Sequence, residues 1–196
     1  MRKLFKIIPI LLFFWAINGC SSIMQMANIV NCDFRMKSLT QTKLAGVNIE
    51  NKSSISSLGI MDVGKLTTAY LNKNIPLSFQ LNLEAKNPNS SPALMTKFDW
   101  ILSIDDIEMT RGTNSEQVQI PGNNGISTIP LQLSFNIYEL LQNESKDALL
   151  NFGFNLADAS DKPTRIGLKL KPTINIGQVP VSYPSYINVT TQFGGN

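Results

Sequence analysis

Between Leu77 and Lys86 the side chains alternate without a break. Leu77, Phe79, Leu81, Leu83 and Ala85 are apolar, and Ser78, Gln80, Asn82, Glu84 and Lys86 between them are polar or charged. Successive side chains of an extended chain point to opposite faces, so a stretch patterned this way is a strand with one dry and one wet face. A helix would scatter the same apolar residues around its circumference. The dry face needs a second apolar layer to cover it, which commits the chain to a layered β architecture.

The same period returns in Phe98-Asp99-Trp100-Ile101-Leu102-Ser103-Ile104, in the run from Ile129 to Ile137 and in Ile166-Gly167-Leu168-Lys169-Leu170. Cys32, Phe34 and Met36 begin a further strand-like run that reaches Leu39. Turn-forming residues separate these runs: Asn87-Pro88-Asn89-Ser90-Ser91-Pro92, Pro121-Gly122-Asn123-Asn124-Gly125 and Gly177-Gln178. Pro130 stands on the polar face of its strand and cannot donate to a ladder, so that strand belongs at a sheet edge or beside a bulge. Two stretches follow a helical period instead. In Ile60 to Lys73, Val63, Leu66 and Tyr70 share a face, with Asp62 near the start and Lys73 near the end to suit the helix dipole. Tyr138 to Phe152 reads as two short helical turns around Asn143. The expectation is a mainly β fold, an antiparallel β-sandwich with one or two short helices, and no internal repeat.

The first residues obey different rules. Arg2, Lys3 and Lys6 precede an apolar run from Ile7 to Ile17, broken only by Pro9, and then Asn18-Gly19-Cys20. A membrane-crossing helix needs about 20 apolar residues, so this shorter run fits the core of a signal peptide. Ile17-Asn18-Gly19-Cys20 resembles the bacterial lipobox, with Asn18 an uncommon second residue. That resemblance implies diacylglycerol on the Cys20 thiol, cleavage after Gly19 and a third acyl chain on the new amine. Several acyl chains on one residue, at about 0.8 kcal/mol per buried CH₂, hold far more durably than one. The expected organisation is a signal peptide over 1–19, an acylated cysteine and tether over 20–31, and a single domain over 32–196. An ordinary secretory signal with an incidental cysteine is the alternative.

Cleavage changes the meaning of the composition. The chain has 17 basic and 14 acidic residues, and losing Arg2, Lys3 and Lys6 leaves 14 of each. A neutral domain without a basic run lacks the electrostatic footprint for a phosphate backbone, so nucleic acid is not an expected partner. With Cys20 acylated, Cys32 has no intramolecular partner, and packing rather than a disulfide must hold the domain. Cys32 reads as a small buried hydrophobe, with an intermolecular disulfide as the rival.

Histidine is absent, which removes the commonest general base, the triads built on it and most zinc sites. No Gly-rich phosphate loop or nucleophile elbow occurs. Asp105-Asp106-Ile107-Glu108 is the densest acidic cluster, and Asp106 and Glu108 would share a face if a strand continued through them. Such a pair would suit calcium or two-carboxylate chemistry, although a solvated charged turn is the simpler account. Asn155, Asp158 and Asp161 form a second loop cluster of the same kind. Of the aromatic residues Trp100, Tyr138, Tyr183 and Tyr186, Trp100 is in phase with Phe98 and Leu102 and reads as core. Tyr183 and Tyr186, on either side of Pro184-Ser185, are candidates for an exposed ligand contact, against a structural role at a sheet corner. No cofactor or metal is expected, and no enzymatic activity.

Leu77 to Leu141 resembles the late embryogenesis abundant type 2 family, the water-stress and hypersensitive-response domain. The resemblance is carried by the alternating strand into Asn87-Pro88-Asn89, Phe98 to Ile104 with Ile107-Glu108-Met109, Arg111-Gly112, Ile120-Pro121-Gly122 and the strand Ser127 to Ile137. Cys32 to Ile49, with Phe34-Arg35-Met36-Lys37 and Leu44-Ala45-Gly46-Val47, looks like the opening strand pair of lipoprotein members from the Bacteroidetes. The resemblance implies an immunoglobulin-like or fibronectin-like sandwich in a family associated with stress tolerance in plants. Its motifs contain no catalytic residue, and a fold does not supply a function.

The functional expectation is therefore an acyl-anchored, non-enzymatic binding or structural module of the cell envelope. A second reading is a lipoprotein that recognises a glycan, a lipid or an envelope protein through loops at one end, those at Asn87 to Pro92 and Pro121 to Gly125. A carboxylate-based enzyme ranks last. Ser21 after Cys20 lacks the aspartate that resembles an inner-membrane retention signal, and Ser21-Ser22-Ile23-Met24 lacks the acidic run of surface-exported lipoproteins. The expected site is the periplasmic face of the outer membrane.

Overall fold

The alternating strand lies inside the four-stranded member of two facing sheets, paired on both sides. The structure, a computed structural model, describes residues 24, 26–50, 52, 54–140, 146–156 and 164–193. Its strands are β1 (Asp33–Leu44), β2 (Val47–Asn48), β3 (Pro76–Asn87), β4 (Ala93–Met95), β5 (Lys97–Ile104), β6 (Ile107–Asn114), β7 (Val118–Ile120), β8 (Gly125–Asn136), β9 (Thr164–Ile176), β10 (Val179–Ser182) and β11 (Ile187–Phe193). Helices α1 (Ile60–Leu71), α2 (Ile137–Leu140) and α3 (Lys146–Leu156) accompany them, with a single 3-10 turn at Ile55–Ser57.

One sheet runs in the order β2-β1-β3-β8. The other runs β10-β9-β5-β6, with β11 on the same side of β9 as β10, and β4 and β7 form a separate pair. Every ladder is antiparallel. The predicted antiparallel β-sandwich is thus observed, and both expected helical stretches are helical. Leu77, Phe79, Leu81, Leu83 and Ala85 of β3 are all within 1% of complete burial. From the facing sheet Phe98, Leu102, Ile104, Ile166, Leu168 and Leu170 meet them in one continuous core. Burying such side chains contributes about 1.5–3 kcal/mol each.

Pro130 lies opposite Asn82 on β8, at the end of its sheet, where the missing donor costs no ladder bond. Trp100 is half-buried against the core, and its indole lies over Gly112 across the ladder. A Cβ at Gly112 would come within 2.5 Å of the ring, so only glycine admits the tryptophan there.

Three features depart from expectation. The short run Ile166 to Leu170 is part of one strand of 13 residues that passes through Pro172. Tyr183 N–H donates to the Pro172 carbonyl at 2.8 Å, and a residue's N–H and C=O point to the same side of a strand. The donor that Pro172 lacks therefore falls in the gap between β10 and β11, and the ladder with β5 is untouched. Second, Lys73 lies beyond the end of α1 with φ of 55°, so it ends the helix in the left-handed region and does not sit in its last turn. Third, residues 26–30 of the expected tether are helical, and Asn28 and Ile29 are buried. Ile29 joins the core because its apolar side chain finds cover at the open end of the sandwich.

Candidate functional site

The helical residues 26–30 meet two loops at one end of the sandwich, and asparagine side chains hold the three together. The inward phase of β3, set by residues 77 to 85, continues to Asn87, which is completely buried. An amide in that position must find partners for every polar atom. Asn87 Nδ2 donates to the carbonyls of Ser91 at 2.9 Å and Ile120 at 3.2 Å. Its Oδ1 accepts from the Asn89 backbone N–H at 3.0 Å and from Asn89 Nδ2 at 2.7 Å.

The network extends outward from there. Asn89 Nδ2 donates to the Asn28 carbonyl at 3.0 Å, and Asn28 Nδ2 to the Pro92 carbonyl at 3.3 Å. The second loop joins through its backbone, Asn123 N–H to the Asn89 carbonyl at 2.7 Å and Asn124 N–H to the Asn87 carbonyl at 2.8 Å. Asn123 and Asn124 take φ of 56° and 63°, a left-handed pair that asparagine tolerates. A Cβ at Gly122 would lie 2.4 Å from the Ser90 carbonyl oxygen, so the two loops touch backbone to backbone. The loops Asn87 to Pro92 and Pro121 to Gly125 thus form one fixed surface. Beside it Met24, Asn28, Ser91, Pro92, Leu94, Gln117 and Gln119 line an open groove of about 450 Å³.

Cys32 belongs to the same end. Its Sγ donates to the Asn28 carbonyl at 3.2 Å, and it is a buried free thiol. Burial, assisted by the negative charge of Asp33, pushes the thiol up to about 11, so it stays protonated and non-nucleophilic at neutral pH. Glu84, by contrast, is a buried carboxylate on the outer face of β3. Arg35 Nε donates to it at 2.7 Å and Lys37 Nζ lies 3.2 Å away, and the Arg35 hydrogen bond outweighs burial to hold its carboxyl below the usual range.

The acidic candidates Asp106 and Glu108 are not brought together. Asp105 and Asp106, with φ of 46° and 67°, form the two-residue turn between β5 and β6, so no strand passes through them. Asp106 pairs with Arg165, while Glu108 accepts from Arg111 Nε at 2.7 Å. The condition on which a shared carboxylate face depended therefore fails. Among the described residues no group of three or more Cys, Asp or Glu side chains converges to hold a metal ion. Asn155 is half-buried on α3, and Asp158 and Asp161 lie outside the described residues, as does Cys20.

Tyr183 and Tyr186 bracket a four-residue connection between β10 and β11, which follow one another along the same edge of β9. Tyr183 is half-buried; Tyr186 is exposed, with Lys171 Nζ 5.8 Å from its ring centroid. Tyr138 packs edge-on against Tyr70 of α1 at 6.0 Å. A shallow dent of about 150 Å³ on the outer face of β9 is lined by Ser103, Asp106, Arg165, Gly167, Lys169 and Asn188 among others. A third depression, about 450 Å³, lies beside α1 between Ala45, Lys65, Asn72 and Pro76. No helix among the described residues is long and apolar enough to cross a membrane.

The period-two rule contained a signal for Asn87 that turn chemistry hid. Counting the inward positions on from Ala85 arrives at an asparagine, and a polar residue in an apolar phase marks a buried hydrogen-bond hub. Asn28 gave no such signal, because its burial depends on a helix that has no periodicity in sequence.

No family model and no curated protein matches this chain. Among solved structures it is similar to a protein from Archaeoglobus fulgidus, 13% identical with a TM-score of 0.35 over 81% of this chain and 96% of that one. It is also similar to a protein from Arabidopsis thaliana, 12% identical with a TM-score of 0.37 over 63% of this chain and 72% of that one. A late embryogenesis abundant (LEA) protein solved in solution is 12% identical, with a TM-score of 0.35 over 95% of this chain and 88% of that one. At these TM-scores the likenesses are distant, and the functional conclusion rests on the chain's own residues.

Proposed function

We propose that this protein is an acyl-anchored lipoprotein of the cell envelope, on the periplasmic face of the outer membrane, whose sandwich is a non-enzymatic binding or structural module. The observation that carries this is the order of features at the N-terminus: Arg2, Lys3 and Lys6, a short apolar run, then Ile17-Asn18-Gly19-Cys20. Basic start, short core and small residue before cysteine follow the sequence in which such a signal is read, cut and acylated. The pairing of Asp106 and Glu108 with separate arginines is the arrangement of surface ion pairs and gives no support to carboxylate chemistry. Intact-mass measurement of the protein from its native membrane tests the proposal. The expected species begins at Cys20 and carries diacylglycerol; a chain beginning at Ser21, or an unmodified Cys20 thiol, sinks it.

A second reading gives the module a ligand, a glycan, a lipid or an envelope protein, at the end formed by Asn87 to Pro92 and Pro121 to Gly125. What favours it is the backbone-to-backbone contact between these loops, since a pre-ordered surface loses little entropy on binding. Replacing Ser90 and Ser91 by bulky charged residues is expected to abolish capture of any partner from envelope extract. Unchanged capture removes the loops from the reading.

A further inference from the structure

The final 25 residues, 172–196, contain no charged side chain. Within them the β9–β10 hairpin extends past the last rung of β5, where Lys97 faces Thr173. All four residues of β10 are exposed, Val179 by 63% and Val181 by 37%. Val179 lies opposite Ile176, and Val181 opposite the buried Ile174, so both point along the inner face of the sheet beyond the point where the other sheet covers it. Thr173 and Ser182 bond through their hydroxyls at 2.8 Å but not through their backbones, because the Thr173 carbonyl accepts from Thr96 on the β5 side. By alternation Pro180 faces outward, and the free edge of β10 lacks the donor that would otherwise await a neighbouring strand.

This hairpin and the N-terminal helical residues share one end of the molecule. Thr96 follows β4, and β4 and Pro92 border the groove that also contains Met24, itself 61% exposed. Cys20 stands four residues before Met24, a reach of at most about 14 Å. The other large exposed apolar face, Ile60, Met61 and Leu71 on α1, is at the far end of the 12-residue β1, about 40 Å away. A lipid surface holding Cys20 therefore meets the hairpin end of the domain and not α1.

We propose that the β9–β10 hairpin, with Met24, is a second and non-covalent contact with the lipid surface, which sets the sandwich end-on to the bilayer. This rests on the reading of Cys20 as acylated. The contact is interfacial: an uncharged tip enters headgroup depth without stripping water from an ion, while an open strand edge forbids entry into hydrocarbon.

The test uses the acylated full chain in phosphatidylethanolamine and phosphatidylglycerol vesicles whose acyl chains carry bromine near the headgroup. Tryptophan is placed by Val179→Trp at the hairpin, by Ile60→Trp on α1 and by Ile107→Trp at the start of β6, and the signal of Trp100 in the parent is subtracted. Quenching at position 179 is expected to exceed that at 60 and 107 at least threefold. Equal quenching at the three positions, or more at 60, overturns the end-on contact. Val181→Trp reads the same hairpin independently, so a folding defect in one variant leaves the other to decide. Intact mass of the reconstituted protein separates the two proposals: absence of acyl chains overturns both, whereas an acylated protein unquenched at 179 and 181 overturns this one alone.

Discussion

Two tight turns at opposite ends of the sandwich use the same backbone and opposite chemistry. Asn123-Asn124 and Asp105-Asp106 are both left-handed pairs, with φ of 56° and 63° in the first and 46° and 67° in the second. The neutral turn is held by backbone bonds to Asn87 and Asn89, and Asn87 is completely buried. The charged turn is held by Arg165, whose backbone N–H donates to Asp105 Oδ1 at 3.1 Å and whose guanidinium pairs with an Asp106 side chain that is 80% exposed. Water competes for the partners at the charged end, whereas the asparagine end is centred on a side chain, Asn87, that water does not reach. Similar counts of hydrogen bonds therefore carry different energies, because the cost of losing a partner is large only where water cannot replace it.

The sharpest way to break the contrast is Asn87→Ala. It leaves the carbonyls of Ser91 and Ile120 without their donor, and denaturant unfolding is expected to show a loss of about 2–4 kcal/mol. A loss under about 1 kcal/mol would mean that water enters the knot. Gly122→Ala comes next, because its methyl group would drive the two loop backbones apart; the expected loss is about 1–3 kcal/mol, read in the same assay.

A buried carboxylate, Glu84, extends the comparison to pH. The folded state keeps Glu84 ionised below the point where an unfolded glutamate, near 4.5, takes up its proton. Its contribution is complete above that value and disappears as pH falls through the lowered folded value. Glu84→Gln is expected to flatten the acid limb of the stability curve, read from unfolding at a series of pH values. An acid limb of unchanged slope in the variant would place the acid response in other groups.

The smallest effect belongs to the charged turn. Arg165→Ala removes an exposed ion pair, and the expected loss is at most about 1 kcal/mol, diminished further in high salt. A larger, salt-independent loss would show that the guanidinium holds the turn through packing on its neighbours.

Much of the fold was legible because its signals are local. Alternation in Leu77 to Lys86 named both faces of β3, and Pro130 placed β8 at an edge, since a missing donor excludes a central strand on either side. The length of β9 was hidden by Pro172, which reads as a strand break unless the gap between β10 and β11 is known. The candidate sites were less legible. Asp106 and Glu108 were close in sequence, but their separation depended on whether a turn or a strand lay between them. The arginines that pair with them stand at different distances along the chain, one three residues away and one 59.

What the sequence by itself determined is the periodic part: which faces are dry, which strand bears an edge, where Cys20 stands relative to the apolar run, and that no charge follows Lys171. These follow from side-chain period and covalent order, which need no partner. Tertiary structure alone decided that Asn28, Asn87 and Asn89 meet, that Gly112 seats Trp100, and that the uncharged hairpin shares an end with Met24. Those outcomes join residues far apart in the chain, 64 positions in the bond from Asn28 to Pro92, and depend on where the chain returns after closing its loops. No local pattern encodes that return, because it is fixed by how two sheets bury one core.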